Sequence, residues 1–388
     1  MKPGEGIGRR RFIQLGAVST GVAAGRVSGA LPSASPEMRY RPLGKTGLKV
    51  SEVAFGTYGF ENPELLRAGL DAGINLICTC SEYQDGKAEN AIGRVLKDLG
   101  GRREELVVFT GASVRKGRKK EEILRTLDES LKRLQTDHVE IFRTHNVDSP
   151  DQLGVEELFE AFEEAKQAGK VSHLGLSGHG RKLMDCLDTG ISDGRFGVIM
   201  CRYDFVSYKE KQQIAFKRGA AQGIGNIAFK VTAGERQKEI KDLEAGGLSF
   251  TQATVKWALS NPDVSSVAAG ITNFDQIKEY CGAVGQEIED AELRMLEHYR
   301  AVMYDQYCRN CGVCETECPR DVAVADIMRY AMYFKYYGRE KDSMGLYASL
   351  PNGCDASSCF SCEENCSGAC PYGRQIRAGL LDAHEMLT

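Results

Sequence analysis

Leu106-Val107-Val108-Phe109-Thr110-Gly111, a helical stretch from Lys120 to Gln135, and Val139-Glu140-Ile141-Phe142-Arg143-Thr144-His145 read as one strand, helix, strand unit. The two apolar runs are short and rich in β-branched and aromatic residues, as strands are. Between them Ile123, Leu127, Leu131 and Leu134 recur three and four residues apart and make one apolar stripe. Such a stripe is that of a helix packed on a sheet rather than a cofactor surface. Strands alternating with helices of this length point to a parallel α/β fold.

The same alternation extends in both directions, from about Met38 to Tyr299. Further strand-like runs are Val53 to Thr57, Ile74 to Thr79, Val171 to Ser177, Phe196 to Tyr203, Gly225 to Val231 and Val264 to Gly270. Helical stretches lie at Glu89 to Leu99, Val155 to Ala168, Glu210 to Ala221 and Thr251 to Leu259. Eight strand runs over a segment of about 250 residues predict a (β/α)8 TIM barrel. A doubly wound open sheet is the alternative, but no Gly-x-Gly-x-x-Gly follows the first strand run. In a barrel the chemistry collects at the C-terminal ends of the strands. That rule draws attention to Tyr58, the stretch from Cys78 to Tyr83, Ala112 and Ser113, His145, Ser177 to His179, Tyr203 and Asp204, Lys230, and Gly270 to Asn273.

The C-terminal tail has a different signature. It holds nine of the fourteen cysteines, and Cys308, Cys311, Cys314 and Cys318 followed by Pro319 form C-x2-C-x2-C-x3-C-P. This is the spacing of a [4Fe-4S] site whose fourth cysteine serves a neighbouring cluster. The expected second run follows as Cys359, Cys362, Cys366 and Cys370 with Pro371, carrying one extra residue. Zinc favours paired C-x2-C units separated by a longer loop. Disulfides and incidental thiols would each have to account for two runs that both end in Cys-Pro. Cys354 has no place in the scheme unless it substitutes for Cys359. The tail resembles a two-cluster bacterial-type ferredoxin. That resemblance implies a crossed arrangement, with Cys308, Cys311, Cys314 and Cys370 on one cluster and Cys359, Cys362, Cys366 and Cys318 on the other.

Before the barrel, Gly8-Arg9-Arg10-Arg11-Phe12-Ile13-Gln14 precedes a weakly apolar segment and the small residues Ser28-Gly29-Ala30. This resembles a twin-arginine signal peptide. It implies export of an already folded protein to a periplasmic or extracytoplasmic space, with the leader cleaved near Ala30 or retained as an anchor. The chain thus divides into a leader and linker at 1–36, a barrel at 37–300 and an iron–sulfur tail at 301–388. Fifty basic and fifty-four acidic side chains give a net charge of −4, which points to no nucleic-acid or anionic-membrane partner. No apolar stretch of about 20 residues predicts a spanning helix.

Several barrel segments resemble the aldo-keto reductase family. Arg41-Pro42-Leu43-Gly44-Lys45-Thr46-Gly47-Leu48-Lys49-Val50-Ser51 is similar to its N-terminal hairpin. Gly73 to Thr79, with Tyr83 and Gly86-Lys87-Ala88-Glu89, is similar to its second strand and following helix; Asp137 to His145 matches its fourth strand. Gly270-Ile271-Thr272-Asn273 with Gln276 matches the adenosine-side turn. The family's tetrad is Asp, Tyr, Lys and His. Tyr is the general acid toward a carbonyl oxygen, Lys and Asp lower its pKa, and His orients the substrate. The resemblance places Tyr83 and His145 in the tetrad, but Cys78 stands for Asp and Ala112 for Lys. A nicotinamide cofactor, NADH or NADPH, is supported only by Ser177, Gly234, Gly270, Thr272, Asn273 and Gln276, and no arginine follows to hold a 2′-phosphate.

The implied activity is the interconversion of a carbonyl and an alcohol on a small-molecule substrate, with electrons passing through two [4Fe-4S] clusters. The alternative is a catalytically degenerate barrel that serves as scaffold for a two-cluster electron carrier docking to a partner redox protein. His179 reads as a surface loop residue unless its rim position turns it into the pocket. Cys186, Cys201 and Cys281 read as core.

Overall fold

Eight parallel strands close into a barrel in the computed structural model, which describes residues 37–388 other than 181, 207–208, 233–243, 245–246, 304–307, 337 and 363–365. The twin-arginine leader and Gly234 lie outside the described residues. A short antiparallel hairpin comes first, β1 (Tyr40–Pro42) and β2 (Lys49–Ser51). The barrel strands are β3 (Val53–Gly56), β4 (Leu76–Cys78), β5 (Val107–Ala112), β6 (Val139–Thr144), β7 (Val171–Gly178), β8 (Val198–Arg202), β9 (Gly225–Phe229) and β10 (Ser266–Gly270). Strand β10 pairs with β3 and completes the ring. Every strand overlaps a run expected from sequence, and the open doubly wound sheet is set aside.

Six of the eight barrel strands are shorter than their apolar runs, β5 and β7 being the exceptions. Ile74 is almost fully buried below β4 yet makes its backbone bond to Gly69 at the end of a helix. Four helices escaped the periodicity, namely Pro63–Asp71, Leu183–Asp193, Phe274–Gly282 and Asp290–Met303. Two of these have sequence-level starts, since Asn62 and Asn273 each accept a backbone N–H two or three residues on, as N-caps do.

Inside the ring, Leu76, Val107, Phe109, Ile141, Val198 and Ile227 pack on one another, with Leu43 and Val50 of the hairpin in the same cluster. The hairpin therefore plugs the N-terminal end and leaves the C-terminal rim for chemistry. A larger apolar layer separates strands from helices. The buried Glu89 ties the two together by accepting from Thr110 Oγ1 at 2.6 Å and from Arg133 Nε at 2.7 Å.

The tail has its own core, built on Val322, Ile327, Tyr347, Ala356, Ile376 and Leu380 around the cysteines. Its helices are Val313–Thr316, Val324–Tyr336, Glu340–Ala348 and Ile376–Leu387, and no strand occurs among its described residues. The likeness to a ferredoxin lies in the cysteine spacing and not in a sheet. No helix of the described residues is long and apolar enough to cross a membrane.

Candidate functional site

Parity along β6 builds the centre of the rim. Ile141 faces the barrel interior, so Arg143 and His145 face the same way. Arg143 is completely buried. Its Nε donates to Ser177 Oγ at 3.0 Å and its Nη1 to the Phe109 carbonyl at 3.1 Å, and the guanidinium lies 4.5 Å over the Phe109 ring. Gly111, its partner on β5, leaves the room, because a Cβ there would fall 2.5 Å from Arg143 Cγ.

His145 Nδ1 lies 3.1 Å from Ser177 Oγ and 3.4 Å from Arg143 Nη2. The Ser177 hydroxyl accepts from Arg143 and from the Asn146 N–H. Its own proton is then free for His145 Nδ1, and the imidazole proton is assigned to Nε2 from this network. Burial, helped by Arg143 and Lys230, holds His145 well below the ordinary imidazole value. A neutral ring with an Nε2–H can donate to an oxygen at the rim.

Tyr83 stands beside it, the two rings meeting edge to face with centroids 5.4 Å apart. Burial pushes the Tyr83 phenol up to about 12, and Arg143 opposes that rise through its charge and a hydrogen bond. Tyr83 is thus a proton donor at neutral pH. Cys78 and Ala112, which replace the tetrad's Asp and Lys, are both buried at 2% exposure. Burial raises the Cys78 and Cys80 thiols to about 12, so neither is a reactive thiolate. Arg115 and Lys116 are exposed beyond β5. The cation near Tyr83 therefore comes from β6. Cys80 Sγ, Glu82 and His145 offer atoms within 4.8 Å of one another. The Cys80 thiol is directed to the Gly111 carbonyl and Glu82 accepts from Ser113, which makes a hydrogen-bonded collar.

Among the described residues expected to hold a nicotinamide, three are engaged within the chain. Ser177 is committed to Arg143 and His145. Asn273 and Gln276 cap their own helix, and Gln276 also accepts from the Thr272 N–H. Gly270, Thr272 and Asn273 are exposed at the end of β10.

The tail reaches this rim. Lys230, just after β9, donates from Nζ to Tyr333 Oη at 3.2 Å. Arg339 bonds to Tyr58 Oη, and its guanidinium lies 4.4 Å over that ring. Tyr58 packs edge to face on Tyr83 at 5.3 Å. A cavity of about 20 Å³ remains at the seam, lined by His179, Arg202 and Lys230 of the barrel and by Cys308, Asn310, Arg329, Met332 and Tyr333 of the tail. That is room for about one water molecule. His179 faces this cavity rather than the surface. Burial, then Lys230 and Arg329, hold its ring well below the ordinary value.

Neutral His145 and His179 make a pH prediction. Their folded values lie below the ordinary 6.5, so the stability they contribute is present above about 6.5 and is lost as pH falls. Below that point the folding free energy should drop by up to about 1.4 kcal/mol per pH unit for each ring. Chemical denaturation at several pH values reads this slope, and His145→Gln should remove one ring's share.

In the tail the thiols fall into two groups. Burial and then Cys308, Cys311 and Cys370 push Cys314 up to about 12. Burial and then Cys318, Cys366 and Cys362 push Cys359 up to about 11. Cys318, Cys359, Cys362 and Cys366 also line one cavity of about 20 Å³ with Val322, Val324 and Leu380. None of the fourteen cysteines forms a disulfide. Four crowded, partly buried thiols suit a cationic metal centre, whose binding converts them to thiolates. Cys354 stands at the start of the loop, its carbonyl accepting from the Ala323 N–H.

Sequence reasoning missed Arg143 and the seam residues Asn310 and Arg329. Only Arg143 had a signal, as a cation in phase with the inward Ile141.

Residues 53–245 match the sequence model of the Aldo/keto reductase family. The oxidoreductase YrpG of Bacillus subtilis is 27% identical over 311 residues, spanning 67% of this chain and 95% of its own. The L-galactose dehydrogenase of Arabidopsis thaliana is 26% identical, spanning 64% of this chain and 88% of its own. The holo form of an aldo-keto reductase from Bacillus halodurans superimposes with a TM-score of 0.56 at 24% identity, covering 67% of this chain and 96% of that one, a likeness of fold.

Proposed function

We infer, from a barrel that matches the Aldo/keto reductase family model over residues 53–245, that this protein is an iron–sulfur oxidoreductase interconverting a carbonyl and an alcohol on a small substrate. The observation that carries the reading is the seam. Cys308, grouped with Cys311, Cys314 and Cys370, lines the same cavity as His179 and Lys230 of the barrel rim. Cys308, Cys311, Cys314 and Cys370 would hold one [4Fe-4S] cluster, and Cys318, Cys359, Cys362 and Cys366 the other. When bound, such clusters would pass electrons one at a time. Reducing a carbonyl would then draw two electrons from an external redox partner and two protons, one to oxygen and one from water to carbon, and oxidation would return them.

The chain's own residues supply the rest. Tyr83 gives a proton to the substrate oxygen, or takes it back in the oxidative direction. Neutral His145 orients that oxygen through Nε2–H, with its tautomer held by Ser177. Arg143 stabilises negative charge developing on the Tyr83 oxygen as its proton leaves, the part the family gives to Lys. Tyr58, Arg339 and Tyr333 narrow the mouth and exclude water. The engaged Ser177 and the small seam cavity argue against a nicotinamide lying along the usual track while the tail is in place.

The test is an anaerobic titration of iron- and sulfide-quantified protein, first with NADH and NADPH and then with a chemical reductant. Iron and sulfide in equal amounts, with absorbance bleached by the reductant and not by nucleotide, support the reading. Zinc in place of iron overturns it. Reducible clusters with no turnover of any carbonyl would instead favour the scaffold reading, which the Cys78 and Ala112 departures motivate. We extend the proposal to export by the twin-arginine route. Cell fractionation of an Arg9→Lys, Arg10→Lys variant tests this, and an undiminished exported fraction would refute it.

A further inference from the structure

Two cations at the mouth have no anionic partner among the described residues. Among the described residues, Arg202 pairs with Asp204 at 3.3 Å and Arg329 with Asp326 at 2.8 Å. Neither Arg143 nor Lys230 has a carboxylate of the described residues within ion-pair distance. Among the described residues, Lys230 meets the Tyr333 hydroxyl and the faces of Phe229 and Tyr333. Taking a cation out of water without a counter-charge costs several kcal/mol, and such groups are normally paired. At the seam cavity a second, independent feature points the same way. Asn310 is 5% exposed, lines the cavity, and has neither Oδ1 nor Nδ2 hydrogen-bonded. Arg329 Nε is likewise buried without a partner. The cavity is thus lined by Lys230, whose acceptor is the Tyr333 hydroxyl, and by two nitrogen donors, Asn310 Nδ2 and Arg329 Nε, without a partner.

We propose that this seam cavity receives the anionic end of a small substrate, a carboxylate such as that of a 2-oxo or 2-hydroxy acid, held by Lys230, Asn310 and Arg329. This rests on the carbonyl/alcohol reading above and names its substrate class. A carboxylate supplies the missing acceptors and the missing negative charge together, and charge-assisted bonds to it are the stronger kind. A cavity of about 20 Å³ takes one small polar group and no ring, so the acid is short. Lys230 lies within electrostatic reach of His145. A carbonyl adjacent to the held carboxylate would therefore stand on the same rim as the His145 and Tyr83 donors. Barrel and tail each contribute half of the receptor.

The experiment is anaerobic calorimetry on the iron-loaded full chain with oxamate and with oxamide, its neutral near-isostere. Oxamate is expected to bind at least about tenfold more tightly than oxamide, as loss of a buried charged hydrogen bond implies. Lys230→Met with unchanged iron content should bring oxamate down to the oxamide level. Equal affinities, oxamate binding indifferent to Lys230→Met, or no binding of either in the millimolar range would overturn the proposal and leave the cavity to water. Should Lys230→Met lose iron, the oxamate and oxamide comparison on the unaltered protein decides alone. Binding is read without turnover, so a barrel lacking carbonyl activity can fail the functional reading and still pass this test.

Discussion

Tyr83→Phe is expected to lower carbonyl turnover by about 10²- to 10⁴-fold while leaving iron and sulfide content unchanged. Among the described residues, the phenol is the proton donor that meets three conditions at the rim. It lies edge to face on His145, it is protonated at neutral pH because burial holds it up to about 12, and it has a cation close enough to oppose that rise. Phenylalanine keeps the ring contacts with Tyr58 and His145 and removes only the hydroxyl, so folding should change little. The loss should fall on kcat, since the proton moves in the transition state. Steady-state kinetics beside iron analysis checks this, and unchanged turnover would take Tyr83 out of the mechanism.

Cys370→Ser is expected to damage the group to which Cys370 does not belong in sequence. It ends the second cysteine run, yet it sits with Cys308, Cys311 and Cys314. Its loss should leave the second cavity, lined by Cys318, Cys359, Cys362 and Cys366, fully liganded. Iron should fall from about eight to about four atoms per chain, with the remaining signal that of one intact cluster. Cys318→Ser should do the reverse, sparing Cys308, Cys311 and Cys314 although it lies in their run. If each variant damaged its own run, the crossed grouping would be wrong.

Most of the barrel could be read from the alternation of apolar runs and helical stripes, because the ring needs both faces of each strand buried and so writes a long signal. The helix Phe274–Gly282 was not readable that way. Its buried stripe, Ile277, Tyr280 and Cys281, is about one turn long, and its start is marked by the Asn273 and Gln276 capping box. Within the site, Tyr83 and His145 were visible through segments similar to a known family. Arg143 was absorbed into the strand that carries it, although strand period two put it in phase with His145. The contact of Lys230 with Tyr333 joins residues 103 apart in sequence. It depends on how one element docks on another, which local pattern does not record.

The bonds from Lys230 to Tyr333 and from Arg339 to Tyr58 join two parts of one covalent chain. They form at an effective concentration fixed by the connecting segment and independent of how much protein is present. Dilution leaves the seam intact, and any rate that depends on it alone stays first order in protein. Exchange with a separate redox protein would instead rise with that partner's concentration. A dilution series therefore separates events inside the molecule from encounters between molecules, before any partner has been identified.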